Sequence, residues 1–146
     1  MTRAFAPGHI TCFFAAAEHD DPLESGSRGA GIVVEDGVTA EVSSASGDES
    51  SVIVDGDDTE FETVERLLDM LDVTARVEVE SEIPIGAGFG ASGSATLATA
   101  LAANTEFELG HEREQVVAAA HVAEVKSGTG LGDVVQARLL GRRLGV

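Results

Sequence analysis

Residues 83–96 read Ile-Pro-Ile-Gly-Ala-Gly-Phe-Gly-Ala-Ser-Gly-Ser-Ala-Thr and lie between an alternating, strand-like run and an alanine-rich stretch. Without a Cβ, the glycines let the backbone turn tightly and bring its N–H groups close to an anion. The stretch 95–104 predicts a helix, whose free N-terminal amides and positive dipole end would point at the same anion. The segment therefore predicts a phosphate-binding loop made by Gly86, Gly88, Gly90 and Gly93 with the hydroxyls of Ser92 and Ser94.

Other interpretations of this loop can be weighed against that one. A glycine-rich turn can be no more than a tight connection between packed elements. A Walker loop is excluded, because that pattern ends in Gly-Lys-Ser/Thr and the loop contains no lysine. A dinucleotide-binding fingerprint fits the spacing of Gly86, Gly88 and Ala91, with Glu106 or Glu108 at about the right distance. The preceding run argues against it, since it alternates polar and apolar residues, unlike the buried strands of a parallel sheet.

The loop resembles the second motif of the GHMP kinases, Pro-x-Gly-x-Gly-Leu-Gly-Ser-Ser-Ala. The match runs from Pro84 to Ser94, with Phe89 in the leucine position and Ala91 in that of the first serine. Residues 6–10, Ala-Pro-Gly-His-Ile, are similar to the family's N-terminal Ala-Pro-Gly-Lys/Arg signature. Residues 128–133, Gly-Thr-Gly-Leu-Gly-Asp, resemble the segment that carries its catalytic aspartate. Three motifs in the family's order are far more specific than any one of them.

The resemblance implies an α+β fold, with a mixed β-sheet and packed helices, and the activity of an ATP-dependent kinase. It places Mg²⁺ beside Ser92 and Glu124, and it makes Asp133 the catalytic residue that orients or deprotonates the attacking hydroxyl. Taken alone, Glu124 would be a solvated helix residue and Asp133 a turn former. The residues implied to bind ATP are Pro84, Gly86, Gly88, Gly90, Ala91, Ser92, Gly93 and Ser94.

Within the family, the segments 6–11, 26–31 and 129–133 are most similar to archaeal members that phosphorylate pantoate. They imply transfer to its primary hydroxyl, giving 4-phosphopantoate on the archaeal route to coenzyme A. Arg28 is the candidate for the pantoate carboxylate, because a guanidinium can grip a carboxylate with two hydrogen bonds, although a surface loop arginine is an equal alternative. For His9 the resemblance leaves two alternatives: the side chain contacts substrate or phosphate, or it only forms hydrogen bonds within the fold. Mevalonate, homoserine or shikimate is the alternative acceptor.

The composition is strongly acidic, with 26 Asp and Glu against nine Lys and Arg and a formal net charge of −17. Such a chain repels nucleic acid and anionic membranes, which excludes both as expected partners. It would also repel ATP in dilute salt, but at molar salt the Debye length falls to about 3 Å and that repulsion largely vanishes. We therefore expect a salt-loving cytoplasm. Disorder is disfavoured, because 43% of the residues are hydrophobic and fall into periodic segments.

The single cysteine, Cys12, cannot form an internal disulfide, which also predicts a reduced cytoplasm. Because Phe13 and Phe14 follow it, we expect Cys12 to be buried in a strand. No apolar run is long enough to cross a membrane.

Periodicity and turn signals predict the remaining elements. Thr59 is expected to cap a helix, with Glu62 completing a capping box. Asp-Gly at 36–37 suits a tight primed turn and predicts a hairpin between strands at 32–34 and 38–42. Pro-Gly at 7–8 predicts another turn. Further strands are expected at 10–16, 51–54 and 73–83, and a further helix at 111–125.

The resemblance implies that residues 1–133 form the N-terminal, ATP-binding domain of a GHMP kinase. Residues 134–146 contain no Asp or Glu but hold three arginines, an atypical basic tail where family members continue into a C-terminal domain. We expect a half-kinase that arose by a frameshift or truncation, or one that pairs with a separate C-terminal half. Uncovered apolar surface would favour a homo-oligomer. The alternative function is a non-catalytic nucleotide-binding remnant.

Overall fold

The computed structural model describes residues 1–129, which form a five-stranded mixed sheet and three helices. This confirms the expected α+β class. The catalytic candidate Asp133 and the tail 134–146 lie outside the described residues. The strands are β1 (Thr2–Ala17), β2 (Gly26–Ser44), β3 (Ser51–Val54), β4 (Asp57–Asp58) and β5 (Ala75–Ser81), and the helices are α1 (Glu62–Leu71), α2 (Ala91–Glu106) and α3 (Arg113–Ser127).

The sheet has the strand order β1-β2-β5-β3-β4, so β5 lies at its centre. β5 pairs in parallel with β3, and every other pair is antiparallel. Along β5, Ala75, Val77 and Val79 are buried while the charged residues between them are exposed. The sequence alternation is thus confirmed as a strand with one apolar face, and its end delivers the glycine-rich loop to one edge of the core.

Helix α2 is the centre of the core. It contacts β1, β2 and both other helices, and most of its residues are buried, many of them alanines whose small side chains allow close approach. Helix α1 contributes Val64, Leu67 and Leu68 at helical spacing, as the sequence predicts. The N-terminal end of α2 follows the glycine-rich loop directly, so the core that surrounds α2 holds the loop in place.

The predicted hairpin turn at 36–37 is wrong, because β2 runs straight through it. Gly37 lies opposite Pro7 in the β1–β2 ladder, next to a register shift between Pro7 and His9. A Cβ on Gly37 would lie 2.3 Å from the backbone oxygen of Ala6. The glycine therefore permits close approach of two strands. The predicted turn at Pro7 is also wrong, since the residue lies within β1, an edge strand where a missing N–H is tolerated.

We expect Gly37→Ala to destabilise the fold by about 1–3 kcal/mol, the usual cost of overpacking. Gly47→Ala is the matched control, because a Cβ there meets nothing within 4 Å. Urea unfolding followed by far-UV circular dichroism measures both variants. Equal stability of the two would mean that Gly37 occupies no tight contact.

The expected burial of Cys12 beside Phe13 and Phe14 is wrong as well. β2 pairs with β5 only from Val38 onward, so residues 9–17 and 26–33 form a two-stranded outer ribbon without a third strand. Cys12 is exposed, and the exposed fractions of Phe13 and Phe14 are 69% and 61%. An apolar strand is buried only where another element covers it, and nothing in residues 1–129 covers this ribbon fully.

The helices begin at different residues from those predicted. α1 has Phe61 at its N-cap, and Phe61 has no side-chain group that could cap the helix. The Thr59 hydroxyl donates to the carbonyl of Asp57 and does not cap α1. α2 begins at Ala91, four residues before the expected start, which places two loop serines in its first turn. α3 carries a capping box between Glu112 and Gln115. None of the helices in the described part of the chain is long and apolar enough to span a membrane.

The far end of α2 is tied to the beginning of β1. The N-terminal ammonium of Met1 and the hydroxyl of Thr2 each donate to the Glu106 carboxylate at 2.7 Å. These two hydrogen bonds, chiefly that from the ammonium, lower the pKa of Glu106. The edge strand is therefore anchored to the central helix at the end opposite the glycine-rich loop.

Candidate functional site

The glycine-rich loop spans residues 84–90, between β5 and α2, and its first five residues are exposed. Gly86, Gly88 and Gly90 have φ angles of +78°, +84° and +68°. A Cβ at Gly86 or Gly88 would meet nothing within 4 Å, so this part of the loop faces open space. The backbone thus takes the conformations that glycine allows, and it leaves room beside them for a ligand.

His9 lies under the end of the loop. Its side chain is buried, its backbone N–H donates to the carbonyl of Phe89 at 3.0 Å, and a Cβ on Gly90 would lie 2.2 Å from the ring atom Cε1. Ser94, in the first turn of α2, donates its hydroxyl to the carbonyl of Pro7 at 2.8 Å. The N-terminal Ala-Pro-Gly-His motif and the glycine-rich motif are therefore in direct contact, although they are far apart in the sequence.

Ser92 and Glu124, predicted as a pair, are also in contact. The Ser92 hydroxyl, in the first turn of α2, donates to Oε1 of Glu124 on α3 at 2.9 Å. Thr96 donates to the same oxygen at 2.8 Å, and Thr129 donates to Oε2 at 2.9 Å. Thr63 on α1 lies 3.1 Å from the Thr96 hydroxyl. Hydroxyls from α1, from α2 and from the segment after α3 thus form a network around the one carboxylate that α3 contributes.

The electrostatics of this carboxylate are unusual. Glu124 is 1% exposed, and no basic side chain of residues 1–129 forms an ion pair with it. Burying a charge is costly unless a cation or hydrogen bonds compensate for it, and here three neutral hydroxyls do so. Glu124 is therefore not the solvated helix residue that its position alone would suggest. Its surroundings favour a positively charged ligand.

Sequence reasoning missed the three threonines of this network. Thr63 is buried among the apolar core residues of α1, and Thr96 is buried on α2. Buried hydroxyls need hydrogen-bond partners, so a threonine at a core position of α1 and another at a core position of α2 were the available signal. Thr129 lies two residues beyond the end of α3 and belongs to the segment that resembles the family's aspartate motif.

A cavity of about 480 Å³ borders the Glu124 network through Thr129. Its wall includes Phe14, Glu18, His19 and Ser25 from the N-terminal part of the chain, and Val125 at the end of α3. This volume lies within the range of small-molecule sites. The cavity joins the end of β1 to the end of α3, and its position beside a buried carboxylate makes it a candidate binding site for a small polar molecule.

Arg28 does not line this cavity. It is exposed on the outer ribbon, opposite Ala15, and side chains alternate along a strand, so it shares a face with Ala15 and lies opposite to Phe14. Ala15 and His9 are six positions apart along β1, which corresponds to about 20 Å of strand. The structure therefore does not bring the two predicted substrate residues together.

Residues 60–141 match the family model described as the GHMP kinases N terminal domain. The pantoate kinase of Methanospirillum hungatei is 37% identical over 144 residues, which cover 92% of this chain and 50% of that protein. The pantoate kinase of Methanocaldococcus jannaschii is 33% identical over 136 residues, which cover 90% and 48%. The chain thus spans about half the length of the curated relatives it matches.

The fold is similar to that of a solved structure described as a phosphotransferase related to the CoA biosynthesis pathway. The TM-score is 0.77 at 35% identity, and the match covers 91% of this chain and 48% of that one. The family model, the relatives and the fold all indicate the family that the N-terminal motif and the glycine-rich motif resemble. The chain belongs to the GHMP kinase family and has the fold of its N-terminal domain.

Proposed function

We propose that this chain carries the ATP site of a kinase that phosphorylates the primary hydroxyl of pantoate, giving 4-phosphopantoate and ADP. The observation that carries the proposal is the contact between Ser92 and the buried carboxylate of Glu124, directly after an open glycine-rich loop. The similarity to two pantoate kinases over nine-tenths of the chain supports the choice of acceptor.

In this proposal the ATP phosphates lie on the loop 84–90 and the first turn of α2. Gly86 and Gly88 leave open space beside the loop for the phosphates, and the positive end of the α2 dipole attracts their charge. Phosphoryl transfer depends mainly on positioning and on stabilising charge. The buried contacts of His9 and Ser94 serve that purpose, because they hold the loop and the helix start rigidly.

Ser92 and Glu124 fit a magnesium ion. Mg²⁺ prefers oxygen ligands and takes one or two carboxylates together with phosphates and water. Within the described residues no three side chains of His, Cys, Asp and Glu gather into a metal site, so the phosphates and water would complete the shell. When bound, the ion neutralises the negative charge of the phosphates. Glu124 supplies the charge that attracts the ion, and Ser92 and Thr96 keep that carboxylate oriented.

The acceptor alcohol occupies the cavity beside Thr129. Its hydroxyl oxygen attacks the terminal phosphorus of ATP, the bond to the departing ADP oxygen breaks, and the hydroxyl proton passes to a base. Asp133, four residues beyond Thr129 in the sequence, is the proposed base or orienting residue. Arg28 as the partner of the pantoate carboxylate remains a prediction, and so does a role for His9 toward substrate or phosphate.

The test is ADP release by the purified chain at molar salt with Mg²⁺, ATP and one acceptor at a time: pantoate, homoserine, mevalonate or shikimate. We expect release that depends on pantoate and is lost in Asp133→Ala. Release that depends on a different alcohol would replace pantoate with that acceptor. Mg²⁺-dependent ATP binding without any acceptor-dependent release would favour a non-catalytic nucleotide-binding role for this chain.

A further inference from the structure

The segment between β1 and β2, residues 18–25, is held together by its own hydrogen bonds. The Ser25 hydroxyl accepts from the backbone N–H of His19 at 2.9 Å and donates to the His19 carbonyl at 2.8 Å. The Asp21 carbonyl accepts from the backbone N–H groups of Glu24 and Ser25 at 3.0 and 3.1 Å. The Asp21 carboxylate accepts from the N–H of Leu23 at 3.0 Å. We call this compact segment the 18–25 loop.

One buried side chain of α3 reaches the 18–25 loop. His121 is 6% exposed, and its Nε2 lies 2.8 Å from the carbonyl oxygen of Ser25, which is itself buried. Because a carbonyl oxygen can only accept, Nε2 carries the proton and donates it. The bond joins residues 96 positions apart in the sequence and ties the loop to the core.

The 18–25 loop presents both a donor and an acceptor to the cavity. Nδ1 of His19 accepts from the backbone N–H of Asp21 at 3.1 Å, so the ring proton of neutral His19 lies on Nε2. His19 and Glu18 both line the cavity. An imidazole N–H beside a carboxylate suits a small molecule that has a carboxylate and hydroxyl groups, since the N–H can donate to the former and Glu18 can accept from the latter.

His121 and Glu124 are three residues apart on α3 and therefore share one side of the helix. His121 holds the 18–25 loop, and Glu124 belongs to the hydroxyl network beside the glycine-rich loop. We propose that His121 is a positioning residue, which sets the 18–25 loop at a fixed distance from Glu124 so that His19 and Glu18 select a small hydroxy acid as acceptor. The identity of the selected molecule rests on the proposed function.

The experiment compares His121→Leu with His121→Gln in the full chain. Leucine removes the donor to the Ser25 carbonyl, whereas the glutamine amide can replace an Nε2 donor. We expect faster amide hydrogen exchange at residues 18–25 in His121→Leu only, because the loop loses its tie to the core. We also expect about tenfold weaker pantoate binding by calorimetry, with MgATP affinity unchanged within about twofold and both properties restored in His121→Gln.

Unchanged exchange in His121→Leu would overturn the proposed tie. Faster exchange with unaltered pantoate affinity would overturn the proposed selection of the acceptor. If His121→Leu does not fold, Ser25→Ala is the second test. It removes the hydroxyl that bonds the backbone of His19, and Ser25 is not part of the hydrophobic core. We expect Ser25→Ala to weaken pantoate binding and to leave MgATP affinity unchanged. If the unmodified chain binds no pantoate, the proposed function fails, and the tie between His121 and the loop is decided by the exchange measurement.

Discussion

Replacing Glu124 with glutamine is expected to remove the effect of Mg²⁺ on ATP binding and to leave the fold intact. The change deletes the buried charge that the three hydroxyls surround but keeps the shape of the side chain. The Thr129 hydroxyl can turn to the backbone carbonyl of residue 124, which lies 3.3 Å away, so the new amide need not meet a second donor. We expect MgATP affinity to fall by about 100-fold or more, as for the loss of a metal ligand.

Calorimetric titration with ATP at molar salt, with and without Mg²⁺, measures this effect. Glu49→Gln is the matched control, because it removes the same charge from an exposed loop between β2 and β3. The control should bind MgATP like the unmodified chain. An equal fall in both variants would assign the effect to net charge, and no fall in Glu124→Gln would remove Glu124 from the magnesium site.

Replacing Gly90 with alanine is expected to lower the free energy of unfolding by about 2–5 kcal/mol. Gly90 has φ of +68°, which costs an L-residue roughly 1–2 kcal/mol, and its Cβ would lie 2.2 Å from the buried ring of His9. Relieving that overlap costs about a further 1–3 kcal/mol. The ring cannot move far, since His9 is 2% exposed.

The variant Gly86→Ala separates the cost of the positive φ from the cost of the overlap with His9. Gly86 also has a positive φ, +78°, but its Cβ would meet nothing within 4 Å, so only the backbone cost of about 1–2 kcal/mol applies. The chain has no tryptophan or tyrosine, so urea unfolding is best followed by far-UV circular dichroism. Equal destabilisation in the two variants would show that the N-terminal motif and the glycine-rich loop are not tightly packed together.

The parts of the fold that the sequence predicts well are those decided by local patterns. The alternation before the loop, the glycines and the following alanines correctly predict β5, the turn and α2, because each pattern matches a single backbone geometry. The Ser92–Glu124 contact was expected from family resemblance alone. Nothing in the spacing of these two residues reveals it, since the contact forms between two helices that are distant in sequence.

The errors arise where distant parts of the chain decide the outcome. Asp-Gly at 36–37 has the composition of a turn, but Gly37 lies in β2 and allows β1 to approach closely. This close approach cannot be predicted from a local sequence pattern. Phe13 and Phe14 have the composition of a core strand, yet they lie on the outer ribbon, where β2 has no second neighbour. The threonines around Glu124 come from α1, α2 and the segment after α3, so only the assembled core shows that they belong to one hydrogen-bond network.

The central place of β5 has a consequence for how the chain folds as it is made. β2 and β3 are consecutive in sequence but are separated in the sheet by β5, which ends at residue 81. At ribosomal rates, roughly 2–7 s pass between the synthesis of residue 44 and that of residue 81. During that interval β2, and β3 once it has been made, keep an unpaired edge that is open to wrong partners. Translation speed between these positions should therefore influence the yield of correctly folded protein, and slowly decoded codons there would prolong the vulnerable state.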